Sequence, residues 1–186
     1  MSDHNQQIYP SHYLVLVNDL HQAVKDYEHA GFTVVWGSAP ETSHNALIYF
    51  EQGGFIELFN PLPPGIKGQA LKIAAAMGSL AGVPMMKRFK LWAGSPGLCD
   101  YALETHKALG PALEAAMQRG ASFDKIRNFK RQQVDGTLTR WQLAVPLSPE
   151  LPFVMGPYDP PPDITDADRT HQNGAPVGLV HSGGAF

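Results

Sequence analysis

The sequence predicts an α+β fold in which two βαβββ modules are joined by a helical connector and followed by a tail rich in proline and glycine. Three observations carry that prediction. Short β-branched and aliphatic runs are bounded by turn residues at strand spacing. An amphipathic helical pattern follows the first such run in each half of the chain. The pattern of the first half then returns in the second, 88 positions on, where Cys99-Asp100-Tyr101-Ala102-Leu103 answers Ser11-His12-Tyr13-Leu14-Val15.

The first module is expected over residues 8–60. His12 to Val17 is an apolar run too short for a helix and reads as a buried strand. Asp19 is placed to cap a helix in which Leu20, Ala23, Val24 and Tyr27 form one apolar stripe, and Gly31 supplies its stop. Strands are expected at Phe32 to Trp36, Asn45 to Phe50 and Phe55 to Phe59, the last two joined by a turn at Gln52-Gly53-Gly54. A connector spans residues 61–97, helical over 69–93 and divided by Gly78, Gly82 and Pro84. The second module, residues 98–156, repeats the order. Leu109, Leu113 and Gly120 answer Leu20, Val24 and Gly31, and strands are expected at Phe123 to Arg131, Leu138 to Val145 and Leu151 to Met155, with Asp135-Gly136 as a hairpin turn. In the tail, residues 157–186, five prolines from Pro157 to Pro176 remove backbone donors. Such a segment builds no core of its own. It is expected to run over the surface, to cross to a partner subunit, or to stay disordered.

Composition narrows the function. The chain has 186 residues, 44% of them hydrophobic and only 17% charged, which excludes a disordered or fibrous protein. A net charge of −3 offers no electrostatic footprint for nucleic acid, and the low charge points to self-association as a homodimer. A single cysteine, Cys99, excludes an internal disulfide framework, and its buried setting beside Asp100 makes it structural. The polar N-terminus lacks the order of a signal peptide, and no apolar run reaches the ~20 residues of a membrane span. A cytoplasmic address with no membrane partner is expected.

The ordered set His12-Tyr13-Leu14-Val15-Leu16-Val17-Asn18-Asp19-Leu20, Gly31-Phe32-Thr33-Val34, Ser43-His44-Asn45-Ala46-Leu47-Ile48 and Phe55-Ile56-Glu57-Leu58 resembles the glyoxalase-like domain family of the vicinal oxygen chelate superfamily. The second half agrees through Gly97 to Leu103, Asp135-Gly136-Thr137-Leu138, Leu151-Pro152-Phe153 and His171-Gln172-Asn173-Gly174-Ala175. The resemblance implies that the paired modules form curled mixed sheets around a small-molecule cleft, often with a divalent metal at its floor.

It also implies a site. His12 and Glu57 stand at the metal-ligand positions of the first module. Asp100 stands where the second module would carry a histidine, and the last strand, Pro152-Phe153-Val154-Met155, has no ligand at the matching place. The implied metal ligands are thus His12, Glu57 and Asp100, for a divalent cation of the Fe, Mn, Ni or Zn type, since imidazole with carboxylate does not select among these. Glu57 and Asp100 are the candidate proton-moving groups, and His44 with Asn45 the candidate substrate contacts. Trp36, Phe50, Phe59, Trp92 and Trp141 are expected to be packing. The basic stretch Lys125 to Arg131, with Lys125, Arg127, Lys130 and Arg131, reads as a solvated hairpin face or as cations that attract an acidic substrate, and the modest charge excess favours the first. Two functions stay open: metal-assisted lyase, isomerase or dioxygenase chemistry on a small oxygenated molecule, and metal-free binding or sequestering of such a molecule without catalysis.

Overall fold

A computed structural model of the chain describes residues 8–62, 65–133 and 135–174. The polar N-terminus and the end of the tail from residue 175 lie outside the described residues. The first module consists of β1 (Ile8–Leu16), α1 (Leu20–His29), β2 (Val35–Trp36), β3 (Asn45–Tyr49) and β4 (Phe55–Phe59). The connector is α2 (Ile66–Leu80) and α3 (Pro84–Trp92), and the second module is β5 (Gly97–Thr105), α4 (Leu109–Gln118), β6 (Arg127–Gln132), β7 (Leu138–Ala144) and β8 (Phe153–Met155).

The local signals act as the sequence suggests. The Asp19 carboxylate accepts from the Gln22 N–H at 3.0 Å and caps α1, while Pro84 opens α3. Three strands are shorter than expected by two residues or more, among them β8, which holds only Phe153–Met155 of the expected Leu151 to Met155. The Phe32 N–H returns to the Tyr27 carbonyl and the Thr33 N–H is taken by His171, which leaves β2 only Val35 and Trp36. Phe123 makes an isolated bridge to Pro146 and packs beneath α4, so continuous pairing of β6 begins at Arg127.

All eight strands join one curled sheet in the order β2-β3-β4-β1-β5-β8-β7-β6. At its centre β1 and β5 pair antiparallel, with Tyr13 opposite Tyr101; β1 pairs parallel with β4, and β5 parallel with β8. A local twofold at the Tyr13–Tyr101 pair therefore carries His12 onto Asp100 and Leu14 onto Ala102. Glu57, opposite Leu14, maps onto Phe153, opposite Ala102.

Strand alternation divides each strand between two faces. On the outer face Val15, Val17, Ala46, Ile48 and Leu58 pack with Leu20 and Val24 of α1, and Leu103, Ala144 and Val154 pack with Leu109 and Leu113 of α4. On the inner face Leu14, Leu16, Phe59, Ala102, Leu143 and Phe153 form a third cluster, joined by Met85 and Trp92 of α3. The connector thus closes one end of the hollow. Its helix α2 leaves Ile66, Ile73, Met77 and Leu80 exposed. No helix among the described residues is long and apolar enough to cross a membrane.

The described part of the tail docks on its own chain. The Gly156 N–H donates to Gln142, and Asp159 exchanges two backbone hydrogen bonds with Arg140 on β7. At the far side of the hollow the His171 ring accepts from the Thr33 N–H at its Nδ1, so its Nε2–H donates to the Tyr49 carbonyl, each at 3.0 Å. Asn173 bonds the backbone of Gly31 and Ala30. Residues 156–173 form a strap from one module to the other along their own chain.

Gly31 is the strap's anchor, with φ at +86° and a Cβ there meeting Asn173 at 2.8 Å. Gly31→Ala is expected to lower stability by about 1–2 kcal/mol from the left-handed backbone alone and to release the strap. Thermal unfolding and the rate of proteolytic cleavage within residues 157–174 measure both effects, cleavage rising more than the loss of global stability explains.

Candidate functional site

The inner face and α3 enclose a cavity of about 450 Å³. Its walls are apolar: Phe59, Trp92, Phe129, Trp141 and Phe153 line it, with Met85 at the α3 end. Three of the five aromatics assigned to packing, Phe59, Trp92 and Trp141, therefore wall the hollow, while Trp36 and Phe50 belong to the outer core. Tyr158 of the strap packs on Trp141, ring centroids 5.4 Å apart, and forms part of the roof.

A line of polar side chains crosses this lining. His12 Nε2 lies 3.4 Å from Glu57 Oε2, so the two residues expected to meet at the floor do meet. The His12 ring stacks on Phe55 at 4.3 Å and meets Phe153 edge-on at 5.8 Å. Its Nδ1 lies 3.0 Å from the Ser11 hydroxyl, which donates onward to Glu104 Oε2 at 2.8 Å. The register slips between Pro10 and His12, and Ser11 is skipped in the pairing; this bulge brings consecutive residues of one strand into a single network. Burial pushes the Glu57 carboxyl up, but contact with His12, the Asn45 amide bond and the nearby Arg131 guanidinium outweigh it and hold Glu57 below the ordinary carboxylate range. Burial raises the Glu104 carboxyl despite Ser11 and His12, and pushes the Tyr9 phenol beside it up to about 12.

Asn45 is at the cleft, but its amide is already engaged. Its Nδ2 donates to Glu57 Oε1 at 2.7 Å, and its Oδ1 accepts from Arg131 Nη1 at 3.3 Å. That second bond spans the opening of the half-barrel, from β3 near one edge of the sheet to β6 at the other. His44, one position earlier, is exposed, outside the lining of the cleft. The reason is position: His44 lies in the bend just before β3, and Asn45 is the strand's first residue. Strand alternation divides the basic stretch. Arg127 and Arg131 line the hollow with Phe129, whereas Asn128 and Lys130 do not, so the segment is not the wholly solvated face expected of it.

Asp100 faces inward but belongs to a separate cluster. Its Oδ1 accepts from Arg88 Nη1 and the Tyr101 N–H, each at 2.8 Å, and its Oδ2 from Trp92 Nε1 at 2.7 Å. Arg88 is 2% exposed and also donates to the Leu151 carbonyl. Burial pushes Asp100 up, and Arg88, Trp92 and the backbone pull it back. Cys99 beside it is pushed up to about 11 by burial and by Asp100, which suits an inert thiol.

The geometry tests the divalent metal that the resemblance implies. Phe153 occupies the place that the local twofold gives to a second carboxylate, and its ring lies against His12. Both Asp100 oxygens are spent on Arg88, Trp92 and Tyr101, and exposed Glu150 bonds Ser148. Among the described residues no group of three or more His, Cys, Asp or Glu is placed to hold a metal ion. Two adjacent donors fall short of the three or four that hold a catalytic metal, and the residues do not fit a resident ion.

Comparison with known proteins places this site in a family. The family model for the glyoxalase-like domain, of the vicinal oxygen chelate superfamily, matches residues 11–183. The chain belongs to the glyoxalase-like domain family. No curated protein matches it. A hypothetical protein from Staphylococcus aureus, solved by crystallography, shares the fold at a TM-score of 0.56 and 13% identity over 88% of this chain. The present chain spans 62% of that protein's length. A hypothetical protein from Bacillus halodurans C-125 aligns over 81% of this chain and 93% of its own at 11% identity, with a TM-score of 0.44. For a glyoxalase-like chain the departure lies at Asp100 and Phe153.

Ser11, Glu104 and Tyr158 carry no role in the sequence reading, and Arg131 enters it only within the basic stretch Lys125 to Arg131. The alternation Arg127-Phe129-Arg131 carried a signal for Arg131, because a strand with an aromatic between two arginines on one face is unlike a solvated one. Ser11 and Tyr158 depend on a bulge and a strap, which leave no pattern in sequence.

Two outcomes test this geometry. Asp100→Ala leaves a buried guanidinium without its carboxylate and is expected to cost about 3–5 kcal/mol in urea unfolding, far more than a surface change. Gly37→Ala places a Cβ on Asn45 Oδ1 and close to Arg131. It is expected to break the Asn45–Arg131 bond at a cost of about 1–3 kcal/mol, read as lost stability and displaced Asn45 side-chain amide resonances.

Proposed function

We propose that this glyoxalase-like chain binds a small oxygenated organic molecule in the aromatic cleft without a resident metal ion. One observation supports it above the rest: the family's donor positions are here His12 and Glu57 in contact, an Asp100 consumed by Arg88 and Trp92, and Phe153. What remains is a mostly apolar cavity with one ionised carboxylate at its floor, and a cavity of a few hundred Å³ with few polar groups suits a small ligand. The proposal keeps the cytoplasmic homodimer expected from the sequence.

The electrostatics favour binding over proton abstraction. A general base working near neutral pH needs its pKa raised toward 7, and Glu57 is held down instead. Such a carboxylate is a weak base and a strong hydrogen-bond acceptor, suited to a ligand hydroxyl.

Metal analysis of the purified protein with a neutral hydroxylated probe, 2-naphthol, tests this reading. Zinc, iron, manganese and nickel are expected far below one ion per chain, and 2-naphthol, followed by tryptophan quenching, is expected to bind equally with and without EDTA. Glu57→Gln is expected to weaken it about tenfold, the value of a hydrogen bond to a charged acceptor. The sign with pH follows from the direction of the shift. Glu57 accepts while ionised, and its carboxyl is held down, so affinity stays level through neutral pH and falls only at pH below the ordinary carboxylate range. Stoichiometric metal that disappears in His12→Ala and Glu57→Ala would overturn the proposal.

A further inference from the structure

Arg131 is the group in the hollow that the protein leaves least satisfied. Its guanidinium is partly buried; among the described residues its Nε, like those of Arg88 and Arg127, has no hydrogen-bond partner, and its one bond is the 3.3 Å contact to a neutral amide oxygen of Asn45. No carboxylate among the described residues lies within ion-pair distance of it: the ion pairs there are His12–Glu57, Arg88–Asp100 and Arg127–Asp124. Arg127, which also lines the cleft, is paired with Asp124 at 2.6 Å. Glu57 reaches Arg131 only through the Asn45 amide. A desolvated guanidinium without a counter-ion costs stability unless something supplies one.

The place of Arg131 indicates what supplies it. It stands at a junction, lining both the aromatic cleft and a second cavity of about 340 Å³ on the other side of Asn45 and Tyr158. That second cavity has more apolar than polar lining, Leu47, Phe55 and Ile164 among it, and its polar groups besides Arg131 include Tyr9, Ser11, Glu104 and Arg169. The groups facing these two cavities are Glu57 from β4, held by His12 and Asn45; Glu104 from β5, held by Ser11; the phenols of Tyr49 and Tyr158; and the second cation, Arg169. Glu57 and Glu104 already have their partners, and among the described residues neither Arg131 nor Arg169 has a carboxylate within ion-pair distance; Asp135 and Asp163 line a third cavity beside Arg131 without reaching it.

Resting on the metal-free binding reading above, we infer that the ligand is an amphipathic oxyanion, an aryl or branched-alkyl carboxylate. Its carboxylate sits on the Arg131 guanidinium at the junction, and its apolar body fills the cleft between Trp141, Phe59 and Phe153. The planar fork of an arginine suits two carboxylate oxygens together, which an ammonium group does not match. The narrow approach of β2 to β6 keeps that fork in place: Gly37 has no side chain to displace Asn45 or Arg131.

The test compares 2-naphthoate with 2-naphthamide, alike in apolar body and different in charge, by quenching of tryptophan fluorescence in the full chain. Naphthoate is expected to bind about tenfold more tightly than naphthamide, as a charge-assisted pair against a neutral one. Arg131→Gln is expected to abolish that preference while leaving naphthamide affinity within about twofold, which also shows that the variant is folded; Arg131→Lys is expected to keep part of the preference. Equal affinity of the two probes for the unaltered protein, or an undiminished preference in both Arg131 variants, overturns the oxyanion assignment and leaves the cleft reading standing. Binding of neither probe overturns the cleft reading and this inference together.

Discussion

The antiparallel pairing of β1 with β5 is the constraint on which the rest depends, because it joins two half-sheets into one and fixes which side chains enter the hollow. Strand alternation is unforgiving: a slip of one residue would turn His12, Leu14 and Leu16 outward and put Tyr13 and Val15 in their place. The apolar clusters on both faces hold the register, since Leu14 belongs to the inner cluster and Val15 packs with the outer one. Glu57 follows from the same constraint, being opposite Leu14 in the parallel pair and of the same parity as Phe59.

Symmetry of backbone does not entail symmetry of chemistry. The twofold at Tyr13 and Tyr101 relates His12 to Asp100 and Glu57 to Phe153, and the two halves resolve the same positions in opposite ways. In the first half the polar pair stays in the hollow and is balanced by Ser11 and Asn45. In the second, α3 delivers Arg88 and Trp92 to Asp100, and the aromatic ring of Phe153 closes the space between the clusters, 5.6 Å from Trp92 and 5.8 Å from His12. A carboxylate buried with an arginine and an indole is well satisfied and has little left to offer a cation. The connector therefore decides the chemistry of the second half, because α3 carries Arg88 and Trp92.

Much of this was legible in the residues, and the boundary of legibility has physical reasons. The cap at Asp19, the stop at Gly31 and the hairpin at Asp135-Gly136 are local, set by a few neighbouring atoms, and each acts where the sequence places it. The meeting of His12 with Glu57 was legible through the family pattern. The commitment of Asp100 was not, because Arg88 comes from a helix whose docking no local rule gives. Nor was the division of His44 from Asn45, which needs the start of β3. The strap was least legible: its hold on the first module comes from backbone groups at Gly31, Thr33 and Tyr49, and of these only Gly31, where a Cβ would meet Asn173, depends on residue type.

The strap and the sheet edges also explain how an open half-barrel can have an interior at all. A sheet curled this far still leaves its two edges apart, and a hollow open to water would weaken the charge interactions within it. Two devices narrow it. The Arg131–Asn45 contact draws β6 toward β3, and Tyr158, carried in by the Asp159–Arg140 backbone pair, packs on Trp141 between the two cavities. Tyr158 is buried enough for its phenol to be pushed well above the ordinary tyrosine range. Charges interact more strongly away from bulk water, and Glu57 and Arg131 are linked across Asn45 within the narrowed hollow. The tail that lacks a core of its own thus sets the dielectric in which the polar line of the hollow operates.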